Sequence, residues 1–151
     1  MAEGTACLMK VRARDWLTAT PVAVKAGEVY RISAANDQVW FDWKNESKAS
    51  AGLGGTPFMN LFSWSKRHPD ARWFALMVVV LPDDDTSEAV PAGDLTRSTI
   101  YRASASGRLA LYPNDASLHL FGQPVFYLNN HGAIWALIER CGTARIAPGA
   151  E

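Results

Sequence analysis

The chain has 151 residues, 48% of them apolar, and its 15 basic side chains balance 15 acidic ones. That length suits one domain burying about 68–70% of its unfolded surface, and the composition is globular rather than disordered. A net charge of zero leaves no broad basic surface for a phosphate backbone, so nucleic acid is not an expected partner, and the longest apolar run, residues 73–81, falls far short of the ~20 residues of a spanning helix.

The start Met1-Ala2-Glu3-Gly4 has neither a basic region nor a following apolar segment, so no secretory signal is read; the cytoplasm is the expected compartment, with non-classical release left open. Strand signals then dominate. Residues 7–13 alternate, 22–25 and 29–33 flank an Ala26-Gly27 turn, and 39–43 form a β-branched and aromatic run. Residues 46–57, rich in Ser, Ala and Gly, read as a loop; Gly52-Leu53-Gly54-Gly55 lacks the Lys-Ser/Thr ending of a phosphate cradle. Asn45-Glu46-Ser47 matches a glycosylation sequon but reads as a polar turn. Between 57 and 66, Phe58, Met59, Leu61, Phe62 and Trp64 fit a short helical turn better than a strand. Residues 72–81 read as a buried central strand and 82–94, with Asp83-Asp84-Asp85, as a solvated loop. A hairpin is expected at 98–112 around Ser104-Ala105-Ser106-Gly107, then an edge strand at 118–121, a strand at 125–128 and a final strand at 133–141. Short strands without a sustained helical period predict an all-β, jelly-roll-type sandwich, residues 1–151 forming a single domain with its core at about 7–141.

Enzyme chemistry is sparse. His68, His119 and His131 lack zinc-ligand spacing, and no Gly-x-Ser-x-Gly elbow marks a nucleophile, so no catalysis is expected. Cys7 and Cys141, near opposite ends, are expected to be reduced thiols in a cytoplasmic chain.

The sharpest constellation is Asp115 with Asn129 and Asn130, which offers oxygen ligands of the kind hard cations take on sandwich loops. The same residues are also ordinary turn chemistry. The pattern Leu109-x-Leu111-Tyr112-x-Asn114-Asp115, then Phe126-Tyr127-x-Asn129-Asn130-x-Gly132-x-Ile134, preceded by Gly27-Glu28-Val29-Tyr30-Arg31-Ile32-Ser33-Ala34, resembles the soluble bacterial galactophilic calcium lectins of the Pseudomonas lectin I type, over about residues 7–141. The resemblance implies a galactose-binding-domain-like sandwich and a calcium ion held by the side chains of Asp115, Asn129 and Asn130 and by backbone carbonyls at Phe126 and about Trp40. It also implies non-catalytic, calcium-dependent binding of carbohydrate, galactosides foremost. Sugar contacts are expected from Asp115, Asn129, Asp42, Trp43 and Gln123, with Trp40, Phe41 and Trp64 as further aromatic candidates and Gln38 as a further polar one. The family's sugar-binding loop also contains His-Pro-Asp, but His68-Pro69-Asp70 directly precedes a strand here, so no sugar role is carried to His68. The 115–126 loop is longer here than in the family. The alternative is a metal-free sandwich acting as a protein-interaction or structural module, marked by an exposed apolar patch; homo-oligomerisation is open in either case.

Overall fold

Residues 76–81 run Leu-Met-Val-Val-Val-Leu, and the strand they form, β6 (Leu76–Leu81), is buried on both faces. Leu76, Val78 and Val80 point into the main core, while Met77 and Val79 pack with Ala71, Ala75, Ala110 and Tyr112 on the other side. A doubly covered strand reads as a continuous rather than alternating apolar run. The structure, a computed structural model, describes residues 1–35, 37–48, 51–83, 90–94, 100–120 and 123–143. Of the loop expected at 82–94, residues 84–89, Asp84 and Asp85 among them, lie outside the described residues, and Val90–Asp94 form a strand paired with β6 instead.

Two antiparallel sheets face one another, which makes the chain an all-β sandwich. One sheet has the order β2 (Thr18–Val24), β9 (Gly107–Pro113), β6, β7 (Val90–Asp94). The other is built on the long β12 (Asn130–Thr143), with β1 (Ala6–Arg12) paired to it. β3 (Glu28–Ala34) and then β4 (Val39–Asp42) also pair with β12, and they carry β8 (Ile100–Arg102) and β5 (Asn45–Lys48) on their far edges. Tyr30, Ile32, Ile134, Ile138 and Val11 from this sheet meet Leu109, Leu111, Val22 and Val24 from the other.

The junction of β3 and β4 is irregular. Ala34 lies opposite Ala136 and Trp40 opposite Gly132, so six steps of chain from β3 into β4 match four along β12. Gln38 fills the gap: its Oε1 accepts the Trp135 N–H at 2.6 Å and its Nε2 donates to the Trp135 carbonyl at 2.9 Å. One side-chain amide thus takes the place of a backbone pair. Gly132, at φ 90, lets the Trp40 backbone approach so closely that a Cβ there would lie 3.2 Å from the Trp40 Cα.

A helical turn, α1 (Pro57–Leu61), begins as its sequence requires, with the Thr56 side chain accepting the Met59 N–H at 3.2 Å and Pro57 in the first turn; a 3-10 turn at Ser63–Ser65 follows. Several expected elements are corrected. The hairpin at 98–112 does not form, because β8 and β9 belong to different sheets. Residues 125–128 belong to a 3-10 helix, Val125–Asn129, rather than a strand. The sequon residues lie in strand β5 rather than in a turn, and the central strand begins at Leu76, since Phe74 takes φ 55. Cys7 and Cys141 are free thiols.

Gln38→Ala should lower stability by about 1–2 kcal/mol, the size expected for two neutral hydrogen bonds, as read from the midpoint of urea unfolding. An unchanged midpoint would show that the amide bridge contributes nothing.

Candidate functional site

Asn114 and Asp115 leave the end of β9 and are pinned by the segment before Ala71. The Asn114 Oδ1 accepts the His68 N–H at 3.0 Å, and its Nδ2 donates to the carbonyls of His68 (3.0 Å) and Arg72 (3.1 Å). The Arg67 N–H donates to the Asp115 carbonyl at 3.0 Å, and Lys66 bridges to Ala116. The Arg67 guanidinium is stacked between Trp16 (4.0 Å) and Tyr112 (3.7 Å) and donates to the Trp16 carbonyl. His68 therefore serves the scaffold, its ring meeting the Tyr112 hydroxyl.

This frame buries the Asp115 carboxyl. Its Oδ1 accepts the Ala116 N–H at 2.7 Å and its Oδ2 the Asn130 Nδ2 at 2.8 Å. The Asn130 Nδ2 also reaches the Ala13 carbonyl at 3.2 Å. Both partners are acceptors, which fixes the orientation of that amide. Its Oδ1 is left buried without a partner. Next to this pair stands a second: the Asn129 Nδ2 donates to the Asp42 Oδ1 at 2.6 Å, and the Asn129 carbonyl accepts the Trp43 N–H at 3.3 Å.

Asp42, Asp115 and Asn129 open onto one pocket of about 400 Å³, within the range of small-ligand sites. Trp43, Lys44, Phe126, Phe58, Phe62 and Trp73 line it as well. The structure thus brings Asp115, Asn129, Phe126, Asp42 and Trp43 to one pocket, with Asn130 bonded to Asp115 from the sheet side. Trp40 and Gln123 are not among the residues that line it. The Trp40 ring, one of the aromatic candidates for a sugar platform, is core, donating from Nε1 to the Phe74 carbonyl at 3.1 Å, and Gln123 pairs with Leu120 in a short hairpin, β10 (His119–Leu120) with β11 (Gln123–Pro124). Phe41 stacks on His131 on the outer sheet face. The aromatic wall from α1 was missing from the sequence-derived site. Its signal, Thr56-Pro57 followed by apolar residues at helical spacing, marks a helical turn without marking what that turn packs against.

Burial raises the Asp115 carboxyl to about 7, against the bonds from Asn130 and Ala116 that favour its charge, and the like charge of Asp42 adds to the rise. Among the described residues no three His, Cys, Asp or Glu side chains come together. The available donors are carboxylate and amide oxygens, which suit a hard cation rather than a thiolate- or imidazole-bound metal.

No protein-family model matches the chain, and no curated protein matches it. Among solved structures, a chain described as the EclA N-terminal domain, a PllA-like lectin, is similar over 88% of this chain and 94% of its own length, with 23% identity and a TM-score of 0.48.

A carboxyl raised in the folded state holds a proton there that the unfolded chain has already released. In the cation-free chain the stability tied to Asp115 is therefore greatest below about pH 4 and is lost as pH rises to about 7, by at most about 4 kcal/mol. Asp115→Asn should flatten this fall relative to wild type in urea titrations across the window. Parallel curves for the two proteins would refute the assignment.

Proposed function

We propose that the chain binds carbohydrate without catalysis at the pocket floored by Asp42, Asp115 and Asn129, with calcium as the bridging ion and galactosides the first sugars to test. The observation that carries this reading is the Asp115–Asn130 pair: a buried carboxylate beside a buried amide oxygen that nothing satisfies. Such a group is costly unless it meets a proton, a donor or a cation. Asp115, Asn129 and Asn130 would hold the ion, with Asp42 beside them. When bound, calcium supplies coordination to sugar hydroxyls. The chain supplies the rest: Asp42 and Asn129 present polar groups to further hydroxyls, and the Trp43 indole offers a face for the apolar side of a sugar ring.

Trp43 supports this reading through its backbone. It sits in the two-residue loop between Asp42 and Asn45 at φ 52, where glycine is the usual occupant. A bulky residue in that region costs about 1–3 kcal/mol and marks a place where function outweighs stability. The indole gained in exchange is largely exposed at the pocket mouth, under the Lys44 ammonium at 5.0 Å.

A second reading, a metal-independent interaction module, is favoured by the exposed Phe58, Leu61 and Trp64. Glycan-array binding with and without chelator separates the two: loss in chelator supports the calcium site, and chelator-resistant or absent glycan binding refutes it. Calorimetric titration of calcium should give heat with wild type and none with Asp115→Asn; equal heats would show that these residues are turn formers. Trp43→Gly should leave the protein as stable as wild type or up to about 1 kcal/mol more stable, because strain is relieved, while glycan affinity falls. A gain in stability with unchanged affinity would remove Trp43 from the site.

A further inference from the structure

The lining of the pocket of about 400 Å³ contains two chemically different parts. Asp42, Asp115 and Asn129 supply acid and amide oxygens. The second part is a continuous apolar wall: the Phe58 and Phe62 rings lie 5.1 Å apart, Phe62 and Phe126 lie 5.9 Å apart, and Phe62 and Phe126 pack on the buried Met59 and Trp73. Phe58 is 67% exposed although it lines a pocket, and Phe62 and Phe126 are half-buried. The wall offers little polar partnership, since the Thr56 hydroxyl oxygen at its start already accepts the Met59 N–H at 3.2 Å.

A sugar ring accounts for only one of these parts. Its hydroxyls need the acid and amide floor, and its apolar face is met by the Trp43 indole. Hydroxyls laid against the phenylalanines would lose water without gaining partners, which is costly. The wall therefore calls for a second, apolar group, and a cavity of this size belongs to the class that encloses drug-sized molecules rather than a lone ring. We propose that the ligand is a glycoside with an aromatic aglycone, its sugar at the floor of Asp42, Asp115 and Asn129 and its aglycone ring against Phe58, Phe62 and Phe126. The sugar half rests on the carbohydrate reading above; the aglycone half rests on the wall alone. An aromatic ring is favoured over a saturated one by the geometry of the wall. Its rings are turned 60° and 51° to their neighbours, the tilted arrangement in which a further ring gains edge-to-face contact beyond what burial alone supplies.

Calorimetry on the whole chain with calcium present, using methyl, cyclohexyl and phenyl glycosides of galactose, glucose, mannose and fucose in turn, tests this without the sugar being known. For whichever sugar binds, the phenyl glycoside should bind roughly tenfold tighter than the methyl one, with the cyclohexyl glycoside between them. Excess methyl glycoside should displace the phenyl glycoside, as one shared site requires. Phe58→Ser should remove most of the phenyl advantage, and Leu61→Ser, at a neighbouring exposed position that is not among the lining residues, should keep it. Equal affinities of methyl and phenyl glycosides would overturn the aglycone subsite and leave the sugar floor standing. So would a phenyl advantage that survives Phe58→Ser in a protein with the wild-type melting temperature, or one that the cyclohexyl glycoside matches. Binding of no glycoside at all would overturn the carbohydrate reading and this proposal with it.

Discussion

The Asp115 carboxyl is buried in a setting that raises its proton affinity, and much of the surrounding local structure exists to hold it there. A carboxyl at a sandwich end ordinarily turns to solvent. Here Asn114 prevents this by tying the 68–72 backbone to the end of β9 with both ends of its amide. Arg67, locked between two rings, fixes the peptide that binds the Asp115 carbonyl. The Asn130 amide comes from the first residue of β12, so the carboxyl joins the ends of both sheets.

Backbone strain gathers at the same end. Phe74 and Trp43 are the non-glycine residues at positive φ among those described. Phe74 donates its N–H to the Asn114 carbonyl at 2.7 Å, and its own carbonyl accepts the Trp40 indole N–H. Its unusual φ is thereby explained: the chain must turn sharply to serve β9 on one side and the core tryptophan on the other. Trp43, in the two-residue loop that joins β4 to β5, donates its N–H to the Asn129 carbonyl at 3.3 Å while its indole stands 66% exposed at the pocket.

Strand positions were legible because period and β-branching speak for each segment alone. Sheet membership was not. The linkers at 25–27 and 103–106 have the residues of hairpin turns, yet both cross from one sheet to the other, and they are stitched together, Gly27 N–H to the Ala103 carbonyl at 2.7 Å and Ala26 N–H to the Ser106 Oγ at 3.1 Å. A short turn sequence sets a reversal of the chain and leaves open whether the next strand pairs or crosses. Trp40 and Trp43 show the same limit within one run, three residues apart in an aromatic stretch that has no polar alternation to mark its core face; the loop at Trp43 then turns that residue outward. The acid and amides at 115, 129 and 130 stood out as a set by residue type. The α1 wall did not, because nothing in a local sequence says which distant segment a helical turn will pack on.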